Sequence, residues 1–224
     1  MSSVSEWTGF GLAWVFFFLT HTLPIRPPLR TLLVRRLGPR VFTTLYSGLS
    51  LLVLIWLVIE AGRAPFVMLW PWYPWQNAVA IVVMFPVCVL LCLAIGRPNP
   101  FSFGGTRNAS FNPAQPGIVR LTRHPLLVAL ALWAGAHALA NGDLAHVLLF
   151  GGFALFALAG RRVIDRRRQR EMGKQWHDFE LEVRMAMRWP YGRSGHDAWR
   201  MLAALTLYLS LLCLHPFVIG VSLY

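Results

Sequence analysis

His21, His124, His137 and His215 lie in or at the edge of hydrophobic runs, where an ionisable side chain is costly and therefore informative. A neutral imidazole nitrogen is a metal ligand, a general base and a proton carrier near neutral pH. Position along the chain allows two pairs, His21 with His124 and His137 with His215. An imidazole pair between transmembrane helices suits haem b: its iron takes axial nitrogen ligands, its macrocycle is apolar, and its propionates reach arginine at the interface. Arg120 and Arg123, beside His124, fit that last role. The plain alternative for any one membrane histidine is a hydrogen-bonded structural residue.

The ten residues from Pro116 to Pro125 (PGIVRLTRHP) carry a second signal. An arginine and a histidine immediately before a helix that opens on proline put two polar groups at a helix N-terminus, which is an anion site. Ordinary basic flanking of a membrane helix explains the arginines but not His124. His146, His177 and His196 read as interfacial or loop residues. Cys88, Cys92 and Cys213 all lie in apolar runs; the first two share a helix face and read as small core residues. With no CxxC pair and no Cys/His zinc spacing, a structural zinc is not expected.

Six hydrophobic runs must position these groups, at residues 7–23, 41–59, 78–95, 125–140, 145–159 and 201–221. Their lengths are at or just below that needed to cross about 30 Å of hydrocarbon as helix. Between the second and third runs, Trp70, Trp72, Tyr73 and Trp75 form an aromatic cluster of the kind found at headgroup depth. Residues 96–124 are too rich in Gly, Asn and Pro for a continuous helix. Asn141, Gly142 and Asp143 make a tight turn between the fourth and fifth runs. Residues 160–200 are strongly basic, with Trp176, Phe179 and Val183 at helical spacing, which predicts an amphipathic helix lying on the membrane.

Composition agrees with this class. Hydrophobic residues make up 56% of the 224, charged residues 13%, and the mean hydropathy is +0.53. A soluble domain carries about a quarter charged residues. The net charge of +12 does not imply a nucleic-acid partner, because the arginines sit in gaps beside apolar spans and meet lipid headgroups there. The first, third and fifth gaps hold five, four and eleven Lys and Arg residues, while the other two hold only Arg63. Basic loops stay cytoplasmic, so both termini and the Asn141–Asp143 turn are expected outside. The N-terminus has no basic n-region or cleavage site, so the first run is expected to be retained. The reading is a single all-α, polytopic membrane bundle of about six transmembrane helices over residues 1–224. It places His21 near the cytoplasmic face and His137 in the outer half. His124 and His137 are about 20 Å apart along one helix.

Thr122-Arg123-His124-Pro125, continuing through Leu132-Trp133-Ala134-Gly135-Ala136-His137 to Asn141-Gly142-Asp143, resembles the NnrU family. So do Leu33-Val34-Arg35-Arg36-Leu37-Gly38, Tyr46-Ser47, and Ala64-Pro65 followed by Leu69-Trp70. The resemblance runs from about His21 to Gly160. It implies an integral protein of the bacterial inner membrane, linked to nitrite and nitric oxide reduction. That family is similar to the plant 15-cis-zeta-carotene isomerase, a haem b membrane enzyme. The likeness implies a haem site drawn from His21, His124 and His137, with Ala134 where the isomerase carries a cysteine.

A more distant likeness is to the small membrane methyltransferases of isoprenylcysteine and phospholipid. It rests on Arg120-x-x-Arg123-His124-Pro125, on Glu171-Met172-Gly173-x-x-Trp176-x-x-Phe179, and on Trp189-Pro190. It implies S-adenosylmethionine held by Arg123, His124 and Glu171, although the usual acidic pair is here Arg170-Glu171 and the usual Tyr after Pro is replaced by Leu126-Leu127. Three functions stay open at this point. One is a haem-binding, redox-linked protein acting in nitrogen-oxide metabolism or isomerising a lipid-soluble polyene. The others are a methyltransferase and a non-catalytic accessory to a respiratory reductase. Whether the chain is an enzyme is left open by the sequence.

Overall fold

The computed structural model describes residues 2–186 and 195–221. They form eight α-helices: α1 (Ser2–Thr22), α2 (Leu29–Leu37), α3 (Pro39–Arg63), α4 (Pro74–Ala94), α5 (Pro125–Ala140), α6 (Leu144–Met172), α7 (Lys174–Met185) and α8 (Gly195–Ile219). Among the described residues there is no strand, only the isolated bridge between Met68 and Asp143. Four helices, α3, α4, α6 and α8, are long and apolar enough to cross a membrane, and α5 is a shorter apolar helix. Apolar side chains point outward along them, for example Leu51, Leu52, Val82 and Leu155. An aqueous protein would bury such a surface; one in lipid exposes it.

The chain divides into two compact units. The first comprises residues 1–70 and 143–149, the second residues 71–142 and 150–224. In the first, α1 packs along α3. Phe10, Ala13 and Phe17 on one helix and Val53, Leu57 and Ala61 on the other are buried, at the three- and four-residue spacing that lines one helical face. The basic stretch after the first run contains α2, which buries nothing and packs beside α3. The bend after α3 is tied to the start of α6, where the Leu144 N–H donates to the Val67 carbonyl at 2.8 Å. Asp143 caps α6 by accepting from the His146 N–H at 3.2 Å.

In the second unit α4 packs against both α5 and α8. Its buried positions Val87, Leu90, Leu93 and Ala94 join Ile118 and Ala129 in one core. Pro86 interrupts the ladder of α4, and the Tyr208 hydroxyl donates to the Ile81 carbonyl in that turn at 3.2 Å. The last carbonyls of α4 have no intrahelical donor. Arg200 of α8 supplies one, donating to the carbonyls of Cys92 (2.5 Å) and Ile95 (2.8 Å).

Two expected boundaries move. The fifth apolar run does not end with its hydrophobic residues: α6 continues as one helix through the arginine-rich stretch to Met172. Arginine is a good helix former, and nothing breaks the helix before Gly173, whose φ of +57 an L side chain rarely adopts. The amphipathic helix is therefore the short α7, which buries Trp176 and Val183. Trp189 and Pro190 lie outside the described residues.

Candidate functional site

The loop before α5 is folded by Asn99, which is buried. Its N–H donates to Asn108 Oδ1 at 2.9 Å, its Oδ1 accepts from the Phe101 N–H at 3.1 Å, and its Nδ2 donates to the Arg123 carbonyl at 3.0 Å. The Asn99 side chain thus ties its own turn to the backbone of Arg123, while the Asn108 side chain holds the Asn99 backbone. Phe101 then packs edge-on to Phe111 and Trp176, fastening the loop to α7.

That scaffold aligns a chain of polar side chains. The Ser102 hydroxyl lies 3.0 Å from His124 Nδ1, and His124 Nε2 lies 2.9 Å from Asp165 Oδ1. A carboxylate only accepts, so the proton is on Nε2, and Nδ1 accepts from Ser102. Arg123 Nη2 donates to Asp165 Oδ2 at 3.1 Å, and its Nη1 donates to Glu180 Oε1 at 2.7 Å. Arg184 donates to the same Glu180 oxygen at 2.9 Å. The Arg123 guanidinium also lies over the Trp176 ring, 5.2 Å from its centroid. Residues of the loop, α5, α6 and α7 are joined in a single network.

His124 is 2% exposed. Burial pushes its pKa below the ordinary 6.5; the hydrogen bond and charge of Asp165 oppose this, and Arg123 and Arg161 add to the lowering. The neutral ring is the one that fits a Ser102 donor and an Asp165 acceptor together. Ser102, His124 and Asp165 have the residue types of a nucleophilic triad, but Ser102 is 1% exposed and presents no face to a substrate. The network positions; it does not attack. Beside it lies a cavity of about 290 Å³ lined by Arg120, Arg123, His124, Arg161, Glu180 and Arg184, among others.

The sequence-predicted residues are thus partly gathered. Arg120, Arg123 and His124 line one cavity. Arg120 ends a short 3-10 turn, Gly117–Arg120, and its Nε donates to the Ala186 carbonyl at 3.3 Å. His137 is in the last turn of α5, at the other end of that helix from His124. Its Nδ1 donates to the Trp133 carbonyl at 2.7 Å, and its ring packs against Trp133 and Phe150. His215 is in the same unit as His137, with its own Nδ1 donating to the Val221 carbonyl at 3.1 Å. His21 belongs to the first unit; its Nδ1 donates to the Phe17 carbonyl at 2.8 Å and its ring stacks on Phe17. Glu171 is half-exposed, paired with Arg167 (2.7 Å) and Arg168 (2.9 Å), and does not line the cavity. Among the described residues no group of three or more His, Cys, Asp and Glu side chains is arranged to hold a metal ion.

Four residues of the network, Asn99, Ser102, Asp165 and Glu180, carried no motif. Asp165 did leave a trace: it is the lone acid among the arginines of residues 161–170, where an unpaired carboxylate asks for a partner.

The fold and the site define a helical membrane protein organised around an Arg-His-Pro helix start. The chain belongs to the NnrU family, described as NnrU protein, which matches residues 10–223 and so extends through the final third, where sequence motifs are sparse. No curated protein matches the chain. No solved structure matches it either.

Proposed function

We propose that this NnrU-family protein is a multi-pass protein of the bacterial inner membrane, with its termini outside, that carries a b-type haem and serves a redox-linked step. The step would lie in nitrite or nitric oxide metabolism or in isomerising a lipid-soluble polyene. The observation that supports this is the tautomer of His137. A carbonyl only accepts, so the contact with Trp133 puts the proton on Nδ1 and leaves the Nε2 lone pair uncommitted among the described residues. That is the form in which a histidine ligates iron.

His215 and His21 hold Nδ1 against a backbone carbonyl in the same way. His215, in the same unit as His137, would be the second residue to hold the group. His124 fits the group less well, because both of its nitrogens are engaged. When bound, haem iron supplies a one-electron couple. The protein's own residues do the rest: Trp133 and Phe150 pack against the His137 ring and orient it.

The methyltransferase reading rests on Arg123, His124 and Glu171, and Glu171 is spent on two arginines away from the cavity. The deciding experiment is an absorption spectrum of purified protein expressed with haem available, for the wild type and for His137→Ala. A Soret band lost in the variant supports the proposal. Its absence from the folded wild type, with a respiratory reductase co-purifying, favours the accessory role instead.

A further inference from the structure

The cavity before α5 has a charge imbalance that the imidazole reading does not use. Four arginines line it, Arg120, Arg123, Arg161 and Arg184, against one lining carboxylate, Glu180. Asp165, just beyond, is occupied by Arg123 and His124. Arg123 and Arg184 are matched to carboxylates. Among the described residues Arg120 bonds only a backbone carbonyl, through Nε. Arg161 makes no hydrogen bond or ion pair among the described residues. Its charge is nonetheless near enough to act on His124. His124 is neutral and adds nothing to the balance. Two guanidinium charges therefore face the cavity without a counter-charge among the described residues. Arg123 also keeps a buried Nε–H with no acceptor.

Positive-inside flanking accounts for arginines in this loop, but not for their convergence on one concavity of about 290 Å³. The other walls are apolar: Phe101, Leu121, Val128 and Val183. Leu121 is 70% exposed beside the start of the apolar α5, so the cavity opens next to surface suited to lipid tails. α5 itself has no side-chain cap at its N-terminus, which leaves its first N–H groups and the positive end of its dipole available. Guanidinium forks match phosphate oxygens in bidentate geometry, and two of them match a dianion.

We infer that this cavity binds a phosphate-bearing group, through Arg120 and Arg161. The group is held either as a free phosphate or as the headgroup of an amphiphile whose tail lies along Leu121. A sulfonium cation is disfavoured by the same surplus of charge. The inference is independent of the imidazole site.

The test uses the full-length protein in a zwitterionic detergent. Binding of inorganic phosphate, of dihexanoyl phosphatidic acid and of dihexanoyl phosphatidylcholine is measured by calorimetric titration. The expected result is binding of at least one of the two anionic probes, with phosphatidylcholine much weaker. Affinity for that probe falls tenfold or more in Arg120→Gln/Arg161→Gln. Neither arginine holds an ion pair among the described residues, so the double variant is expected to fold, and Arg161→Gln alone is carried as a milder second variant. Arg162→Gln, an exposed neighbour outside the cavity, controls for general basicity and should leave affinity unchanged. Phosphate binding as tightly as phosphatidic acid identifies a soluble ligand; phosphatidic acid alone identifies a lipid one. The inference is overturned if neither anion binds, if Arg162→Gln weakens binding as much as the cavity variants, or if S-adenosylmethionine binds and gains affinity when the arginines are removed.

Discussion

His124 Nε2 and Asp165 Oδ1 are 2.9 Å apart, and through this contact the start of an apolar helix is bonded to the basic extension of another. The same carboxylate takes Arg123 on its second oxygen. Asp165 therefore satisfies a buried imidazole and a guanidinium at once, and removing it leaves His124 without its acceptor and Arg123 with Glu180 alone. Asp165→Ala should destabilise the protein by about 3 kcal/mol, the range for breaking a largely buried charged pair. Asp165→Asn keeps an oxygen for His124 and should cost roughly half as much. Thermal unfolding in detergent gives the order; equal losses for the two variants would show that the charge is immaterial.

The buried neutral His124 makes stability pH-dependent with a definite sign. In the unfolded chain the imidazole takes up a proton as pH falls through about 6.5, while the native ring, with its lowered pKa, stays neutral. The unfolded state then binds more protons, so stability is full above that pH and declines below it. The decline is at most about 1.4 kcal/mol per pH unit until the native pKa is reached. Unfolding temperatures recorded from pH 7.5 to 5.5 should fall more steeply for the wild type than for His124→Gln. Parallel curves would remove His124 as the sensor.

Arg97 and Asp197 form a buried ion pair between the end of α4 and the first turn of α8. Arg200 lies close to Arg97, and burial together with that like charge lowers the Arg97 pKa. Asp197→Asn leaves two arginines facing each other and should cost about 3 kcal/mol. Arg97→Met with Asp197→Leu should recover much of the loss. If the double variant unfolds as readily as the single one, packing rather than charge holds the junction.

Gly105 has no room for a side chain. A Cβ there would lie 2.7 Å from the Arg97 carbonyl oxygen and 2.9 Å from the Asn99 nitrogen, both of them backbone atoms that cannot swing aside. Gly105→Ala should displace the Asn99 turn, cost about 2 kcal/mol and weaken phosphate binding with it. An unchanged affinity in that variant would separate the loop from the cavity.

The class of fold was legible because membrane insertion writes itself into composition: apolar runs, and arginines confined to alternate gaps. Arg123 and His124 were legible for a local reason, since polar residues directly before a helix that begins at Pro125 need no tertiary information to stand out. Their partners were not. Asp165 and Glu180 meet Arg123 from 42 and 57 residues away, and only the unbroken run of α6 past the apolar boundary, followed by the turn at Gly173, brings them there. Hydrophobic periodicity ends where that part of α6 begins. His137 was located correctly on its helix, but its tautomer is a matter of one carbonyl, which spacing does not reveal.

The order in which the network's members leave the ribosome has a consequence for biogenesis. Arg123 and His124 are synthesised well before the acids that neutralise them, so a chain halted before Asp165 would hold an unpaired guanidinium at the start of an apolar helix. The ion pairs of Arg123 can form only once α6 and α7 have followed it out.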